Sequence, residues 1–521
     1  MCGIFAVIGK YDKEEVVDRC KKLRPRGPDD SKYLALDNVF LGFHRLKIMD
    51  MGDSGNQPFD IDDVLLICNG EIYNYLDLKT KYNIKTTGNS DCEVIIHLYR
   101  KIGIINTVKQ LDGVFAFFLY DKRYKQFFVA RDYLGVRPLF MGHSPDCITF
   151  SSEMKAIECD EVKPFPPGHC MVDYSLQSYF NIRNVLKQIT DKDETTHCDL
   201  VRYFLEKAVE KRMMSERPIG CFLSGGLDSS LICALVQKRS SQPIHTFSIG
   251  MEGSHDLVYA RRVAKMLGTH HHEVLFNITD AFYSLDELIR TIESYDVTTI
   301  RASLPQYLLS KYIRDDTDVT VVFSGEGADE HFAGYKYLQY AANENVLDKE
   351  LFSLLHNLYQ FDVLRTDRTT AACGLEVRVP FLDKHFVKYS MSIPTKYKMV
   401  NTDRMEKFLL RKAFDNPTDP YIPPDVLWRR KDAFSDSVGA NLRTGLMDKI
   451  DNIISPEQFE KEKDLYKHNP PMTREALYYR KIFEKYYPGK AGVITKYWMP
   501  NSGWFEETFV DPSARTLPSV V

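Results

Sequence analysis

From residue 1 to about 182, short apolar runs alternate with turn residues, the pattern of a chain that folds mainly as strands. The clearest predicted strands span 3–8, 64–69, 114–121, 126–132 and 148–151. Two stretches break that rhythm, 14–23 and 92–102, where apolar residues recur every three or four positions and predict helices packed on sheets.

Between 182 and 197 the pattern dissolves into polar residues such as Arg183, Asn184 and the run Asp191-Lys192-Asp193-Glu194, which cannot bury a face. The predicted division is a first domain at 2–182, a linker at 183–199 and a second domain at 200–521. Beyond the linker, predicted strands at 219–223, 244–249, 273–276 and 319–323 alternate with helical stretches at 229–238 and 256–267. That alternation signals a parallel sheet with crossover helices. A helical stretch is expected at 329–341, and the remainder reads as largely helical.

Composition narrows the class. With 521 residues, 44% hydrophobic, 31 Phe and 30 Tyr, the chain can build more than one core. A net charge of −4 argues against a surface made to neutralise nucleic-acid phosphates or an anionic membrane. No signal-peptide layout and no run long enough to span a bilayer is present, so a cytoplasmic location is expected. Eleven cysteines without a C-x-x-C pair read as reduced thiols.

Cys2 stands apart. A thiol attacks as thiolate and needs a base, and an N-terminal cysteine carries one in its own α-amine, which titrates near pH 8, about its free value. Removal of Met1 would expose that amine. Five segments accompany it: Met1-Cys2-Gly3-Ile4, Arg24-Pro25-Arg26-Gly27-Pro28-Asp29, Gly42-Phe43-His44-Arg45-Leu46, Asn69-Gly70-Glu71-Ile72-Tyr73-Asn74 and Ser90-Asp91-Cys92-Glu93. Together they resemble the class II glutamine amidotransferases of the N-terminal-nucleophile fold, an α+β sandwich of antiparallel sheets with helices. The resemblance implies that Cys2 attacks the glutamine amide and that Asn69 and the Gly70 N–H form the oxyanion hole. It further implies that Arg45, Leu46, Lys47, Ile48, Met49, Glu71 and Asp91 hold the amino acid. Neutral preorganised donors suit a developing oxyanion, and a cationic fork and a carboxylate suit the two charged ends of glutamine.

The second signal is Ser224-Gly225-Gly226-Leu227-Asp228-Ser229-Ser230, set between an apolar strand and an apolar helix, where backbone N–H groups face an anion. No G-x-x-x-x-G-K-[ST] is present. The loop resembles the PP-loop of ATP pyrophosphatases, whose fold is a doubly wound parallel sheet and whose substrate is ATP. A second loop, Ser324-Gly325-Glu326-Gly327-Ala328-Asp329-Glu330, follows another apolar strand and is expected to face the same cleft. Asp228 and Asp329 are the candidate ligands for the Mg²⁺ that would neutralise departing pyrophosphate.

The fusion of these halves resembles the glutamine-hydrolysing asparagine synthetase family, and the likeness continues through Asp367-Arg368-Thr369-Thr370, Val377 to Asp383, Arg430 to Asp436 and Tyr497-Trp498-Met499-Pro500. It implies glutamine, aspartate and ATP as substrates, a β-aspartyl-AMP intermediate and an internal route for uncharged ammonia. By the same resemblance Glu326 is an acid/base residue and Lys431 a phosphate-side cation, Leu223 and Ile249 hold adenine, and Ser324 and Gly325 join the ATP site. Arg301 and Arg378 are the candidates for aspartate binding, with domain-interface ion pairs as the equal alternative. A homodimer is one expectation, on which the sequence is silent. A β-lactam synthetase-like ligase and a catalytically silent relative are the rivals; Cys2 with Asn69-Gly70-Glu71 argues against the first, and the retained polar residues of both candidate sites against the second. The His270-His271-His272 run reads as exposed polar residues, because adjacent strand positions face opposite ways.

Overall fold

The computed structural model describes residues 1–159, 161–182, 192–430, 442–505 and 510–511. The first half contains two six-stranded antiparallel sheets. One runs β10-β8-β9-β1-β3-β2, built from β1 (Gly3–Gly9), β2 (Asp30–Ala35), β3 (Val39–Arg45), β8 (Phe140–His143), β9 (Cys147–Ser151) and β10 (Glu161–Pro164). The other runs β12-β11-β7-β6-β5-β4, built from β4 (Phe59–Ile61), β5 (Val64–Ile72), β6 (Gly113–Asp121), β7 (Gln126–Arg131), β11 (His169–Val172) and β12 (Ser175–Ser178).

The two-residue period of β1 explains why almost all of it is apolar. Ile4, Ala6 and Ile8 meet Leu65, Ile67, Ala116 and Phe118 of the facing sheet, while Phe5 and Val7 pack outward under the helix Lys13–Lys21. On the far side Leu66, Cys68 and Phe117 carry the helix Val94–Ile102. The result is a four-layer sandwich, helix, sheet, sheet, helix.

Of the expected linker, 183–191 lies outside the described residues, and its remainder runs into the helix Glu194–Lys211. Asp193 starts that helix by accepting the Thr196 N–H at 2.7 Å, a cap that the polar composition of the segment concealed.

The second half is a five-stranded sheet in the order β15-β14-β13-β16-β17, from β13 (Ile219–Phe222), β14 (His245–Gly250), β15 (His270–Leu275), β16 (Val321–Phe323) and β17 (Glu376–Arg378). Every pairing in it is parallel. Strand order reverses between β13 and β16, which puts the loops after these two strands at the switch point of a doubly wound sheet. Helices Leu227–Gln237 and His255–Leu267 cover one face, and Val297–Asp316 with Leu285–Ile292 the other.

Two details differ from expectation. Helix after β16 lasts one turn, Ala328–His331, because Ala333 adopts a left-handed φ of 52° that ends it. The histidine run is part of β15, where His270 and His272 share a face, and His272 Nε2 lies 2.8 Å from His245 Nδ1 and stacks on Phe247. Among the described residues no His, Cys, Asp or Glu cluster is arranged as a metal site of three ligands, and no helix is long and apolar enough to cross a membrane.

The halves meet over an apolar seam in which Met1, Val114, Leu134 and Val136 pack with Val377, Val379 and Leu382.

Candidate active sites

The first candidate site lies at the end of β1 and β5. Strand pairing begins at Gly3 opposite His44, so Cys2 lies just outside the ladder. Its Sγ faces the Leu46 carbonyl at 3.8 Å, and burial pushes the thiol up to about 11, against the opposing pull of the terminal ammonium. The Met1 side chain is buried in the seam, and its ammonium donates to the Leu375 carbonyl at 3.2 Å. Burial lowers that amine to about 6.

Asn69 in β5 is buried, and its Nδ2 has no hydrogen-bond partner among the described residues. An unpaired buried amide donor costs about 1–3 kcal/mol and is kept only where something else repays it. Gly70 follows, and a Cβ there would sit 2.3 Å from the Val114 carbonyl, so only glycine lets β5 and β6 pair at this point. Asp91 accepts the Ile72 N–H at 2.5 Å, and burial raises its carboxyl to about 6. Glu71 is raised as well, by burial first and then by Glu376 and Asp91.

Arg45 does not project as a free fork. Its guanidinium donates to the carbonyls of Gly52 at 2.7 Å and Met49 at 3.3 Å and to that of Asp50, and so ties down the loop that contains Lys47, Ile48 and Met49. That loop is also held from the second half, since the Asp50 N–H donates to Glu216 Oε1 at 2.9 Å and the Glu216 N–H to the Ile48 carbonyl at 3.0 Å.

The second site sits at the switch point. Leu223 closes β13 by donating to the Phe247 carbonyl at 2.8 Å, and Ile249 lies near the end of the neighbouring strand. Ser224 Oγ and Ser229 Oγ are 2.9 Å apart, and Ser229 Oγ also accepts the Ser224 N–H at 3.1 Å. Gly225 takes φ +74°, and a Cβ on it would strike the Ala260 nitrogen at 2.6 Å, so the loop is pressed onto the helix His255–Leu267. Gly226 caps Leu227–Gln237, with Asp228 in the first turn. The second loop does reach the first: a Cβ on Gly325 would lie 2.8 Å from the Ser229 nitrogen. Ser324 N–H donates to the Arg378 carbonyl at 2.9 Å.

Glu326 projects from this second loop. Arg365 Nη2 lies 2.9 Å from its Oε1, and burial, only partly offset by Arg365, raises the carboxyl to about 7. Asp228 and Asp329 converge on Lys407, whose Nζ is 2.7 Å from Asp329 Oδ1 and ion-paired with Asp228. Burial works against the ammonium, but Asp228 and Asp329 outweigh it and hold Lys407 charged. Nothing in the local sequence marks Lys407, which stands before a helix in a left-handed conformation of φ 58°.

Three candidates fall elsewhere. Lys431 lies outside the described residues. Arg301 is buried and fully occupied: Nε bonds Glu475 Oε1 at 2.8 Å, and Nη1 and Nη2 bond Asp511 at 3.2 and 3.0 Å. Both partners belong to the second half, so this ion pair is interior to that domain and is not the domain-interface pair that was the alternative reading. The Arg378 side chain turns toward the amidase, where it meets Glu376 at 3.0 Å, Glu71 at 3.8 Å and the Met214 carbonyl at 2.5 Å. That places it at the domain seam, because Arg378 and Glu376, two positions apart on β17, share one face and Glu71 belongs to the first half.

An antiparallel double sheet with a near-terminal thiol, joined to a parallel sheet with a glycine-rich phosphate loop at its switch point, defines a two-site chain: an N-terminal-nucleophile-type amidase half and an ATP-pyrophosphatase-type half. Family models agree with that division, "Glutamine amidotransferase domain" matching residues 1–195 and "Asparagine synthase" matching 200–347 and 341–505. The chain belongs to the asparagine synthase family. It is 42% identical to "Asparagine synthetase [glutamine-hydrolyzing]" of Gallus gallus and 41% identical to that of Cricetulus griseus, each over 99% of this chain and 98% of the relative. The Homo sapiens protein of the same name is 40% identical over the same shares. Among solved structures, a glutamine phosphoribosylpyrophosphate amidotransferase from B. subtilis aligns at TM-score 0.32 and 15% identity, covering 53% of this chain and 91% of that one. The fold assignment rests on this chain's own sheet topology.

Proposed function

We propose that the chain is a glutamine-hydrolysing asparagine synthetase that converts ATP, aspartate, glutamine and water into AMP, pyrophosphate, asparagine and glutamate. After removal of Met1, the Cys2 α-amine takes the thiol proton and Sγ adds to the glutamine amide carbon. Asn69 Nδ2 and the Gly70 N–H receive the charge that develops on oxygen, and collapse expels ammonia and leaves a thioester that water hydrolyses. In the second site an aspartate β-carboxylate oxygen attacks the α-phosphorus of ATP and pyrophosphate leaves. Ammonia then adds to the β-aspartyl-AMP carbonyl, Glu326 accepts the surplus proton, and AMP departs.

Asp228 and Asp329 are the carboxylates suited to Mg²⁺, since both reach one cation position, occupied here by the Lys407 ammonium. Mg²⁺ is commonly held by one or two carboxylates plus substrate phosphates, and when bound it would neutralise the pyrophosphate oxygens. Lys407 supplies a fixed positive charge at the same place.

The observation that carries the reading is the apolar ground between the two sites. Val114, Leu134 and Val136 of the amidase half share one apolar cluster with Val377, Val379 and Leu382, and Leu382 Cδ2 would lie 2.5 Å from a Cβ on Gly327 in the Glu326 loop. Apolar surroundings favour passage of neutral ammonia over ammonium. Incubation with [amide-¹⁵N]glutamine, aspartate and Mg-ATP is expected to yield ¹⁵N-asparagine with AMP and pyrophosphate. AMP without asparagine would refute the assignment.

A further inference from the structure

The Arg26 side chain joins the Cys2 main chain to the synthetase half. Its Nε donates to the Cys2 carbonyl at 3.0 Å, its Nη1 to Glu153 Oε1 at 2.7 Å and Asp367 Oδ2 at 2.8 Å, and its Nη2 to Asp367 Oδ1 at 3.1 Å. Arg26 and Asp367 are each 1% exposed. The bidentate geometry uses the planar fork of arginine against a carboxylate, the arrangement that fixes direction as well as charge.

Position explains why this matters. Cys2 lies outside the β1 ladder, and once Met1 is gone its main chain continues only toward Gly3. Its side chain packs against the cluster around Ile4 and faces the Leu46 carbonyl, and the main-chain carbonyl contact is what fixes the plane from which its α-amine and Cβ project. Arg26 supplies that contact, and Asp367, 341 residues away in sequence, sets the direction of Arg26.

Asp367 belongs to the helix Asp362–Ala371, which also carries Arg365 to Glu326. The neighbouring Arg368 is ion-paired with Glu153 at 2.9 Å and Glu293 at 3.1 Å, and Lys155 completes the group through Glu153 at 2.7 Å. Three cations and three carboxylates balance in this buried network, and one helix therefore has a side chain bearing on each reaction centre. The chain after the helix also abuts the amidase, since a Cβ on Gly374 would meet Pro28 Cγ at 3.2 Å.

We propose that Asp367 is a positioning residue for glutamine hydrolysis: from the synthetase half it orients Arg26, which holds the Cys2 carbonyl and so aims the nucleophile. The proposal rests on the reading of Cys2 as the nucleophile. It involves no contact with glutamine, so its signature lies in kcat and not in KM.

The test uses the full-length chain. Wild type must hydrolyse glutamine and Cys2→Ala must not; failure of that pair sinks the functional reading itself. Asp367→Asn is then expected to lower kcat for glutamine hydrolysis about 100-fold, the scale of a misaimed reacting group, with KM for glutamine and ammonia-dependent asparagine synthesis both retained. Asp367→Glu keeps the charge balance and displaces the carboxylate by one methylene. It is expected to show the same split with a smaller loss, and it decides the matter if Asp367→Asn does not fold. An unchanged kcat in whichever variant folds, or a parallel fall of hydrolysis and ammonia-dependent synthesis, would overturn the proposal.

Discussion

Lys407 Nζ lies 2.7 Å from Asp329 Oδ1 and forms a second ion pair with Asp228, so one ammonium closes the two loops of the nucleotide cleft on each other. The carboxylates come from the first turns of the helices that follow the two strands flanking the reversal of sheet order, and the lysine comes from a segment far along the chain.

Replacing Lys407 by Met removes the ammonium with which both carboxylates are ion-paired. Breaking a buried ion pair on one side costs about 3–5 kcal/mol, so a clear fall in melting temperature is expected, and added Mg²⁺ should restore part of it. Synthesis should fail while glutamine hydrolysis persists. Thermal melts with and without MgCl₂ check the first point, and paired assays the second.

Cys2→Ala should abolish glutamine-dependent synthesis and spare synthesis from ammonium chloride. Asn69→Ala should lower kcat for glutamine hydrolysis about 100-fold or more, because the donor is required only when charge reaches the oxygen. Steady-state kinetics with each nitrogen source separate the two sites.

Glu326 governs a pH dependence. Its carboxyl is held at about 7 in the fold against an ordinary 4.5, so the folded chain binds this proton more tightly than the unfolded one. Its contribution to stability is complete below about 4.5 and is lost as pH rises through 7. As a proton acceptor it must be ionised, and synthesis at constant free ammonia should rise with a midpoint near the same value. Arg365→Gln removes the cation that favours ionisation, so the midpoint should move to higher pH.

Arg301 distinguishes interior packing from substrate binding. Arg301→Gln strands Glu475 in a buried site, while Asp511 keeps its ion pair with Arg443, and should destabilise the fold by about 3–5 kcal/mol. The folded fraction should keep its KM for aspartate. A large rise in that KM without loss of melting temperature would restore Arg301 to the substrate site.

Much of this molecule was legible in the chain because the relevant physics is local. The two-residue alternation of β1 and a serine- and aspartate-bearing loop at the start of an apolar helix both operate over a few residues. These set out the two halves and the candidate phosphate loop with Asp228, while the pairing of Cys2 with Asn69 was implied by the resemblance of their motifs to a known family. What the pattern could not carry was pairing at long range. Lys407 reaches Asp228 across 179 positions and Arg26 reaches Asp367 across 341, and no spacing rule selects one arginine or lysine out of 68 for such a role. Arg301 and Arg378 were interchangeable as sequence, and only their surroundings separated an interior ion pair from a residue at the seam. A charge is assigned by which opposite charge shares its buried volume, and that volume exists only after both domains have packed.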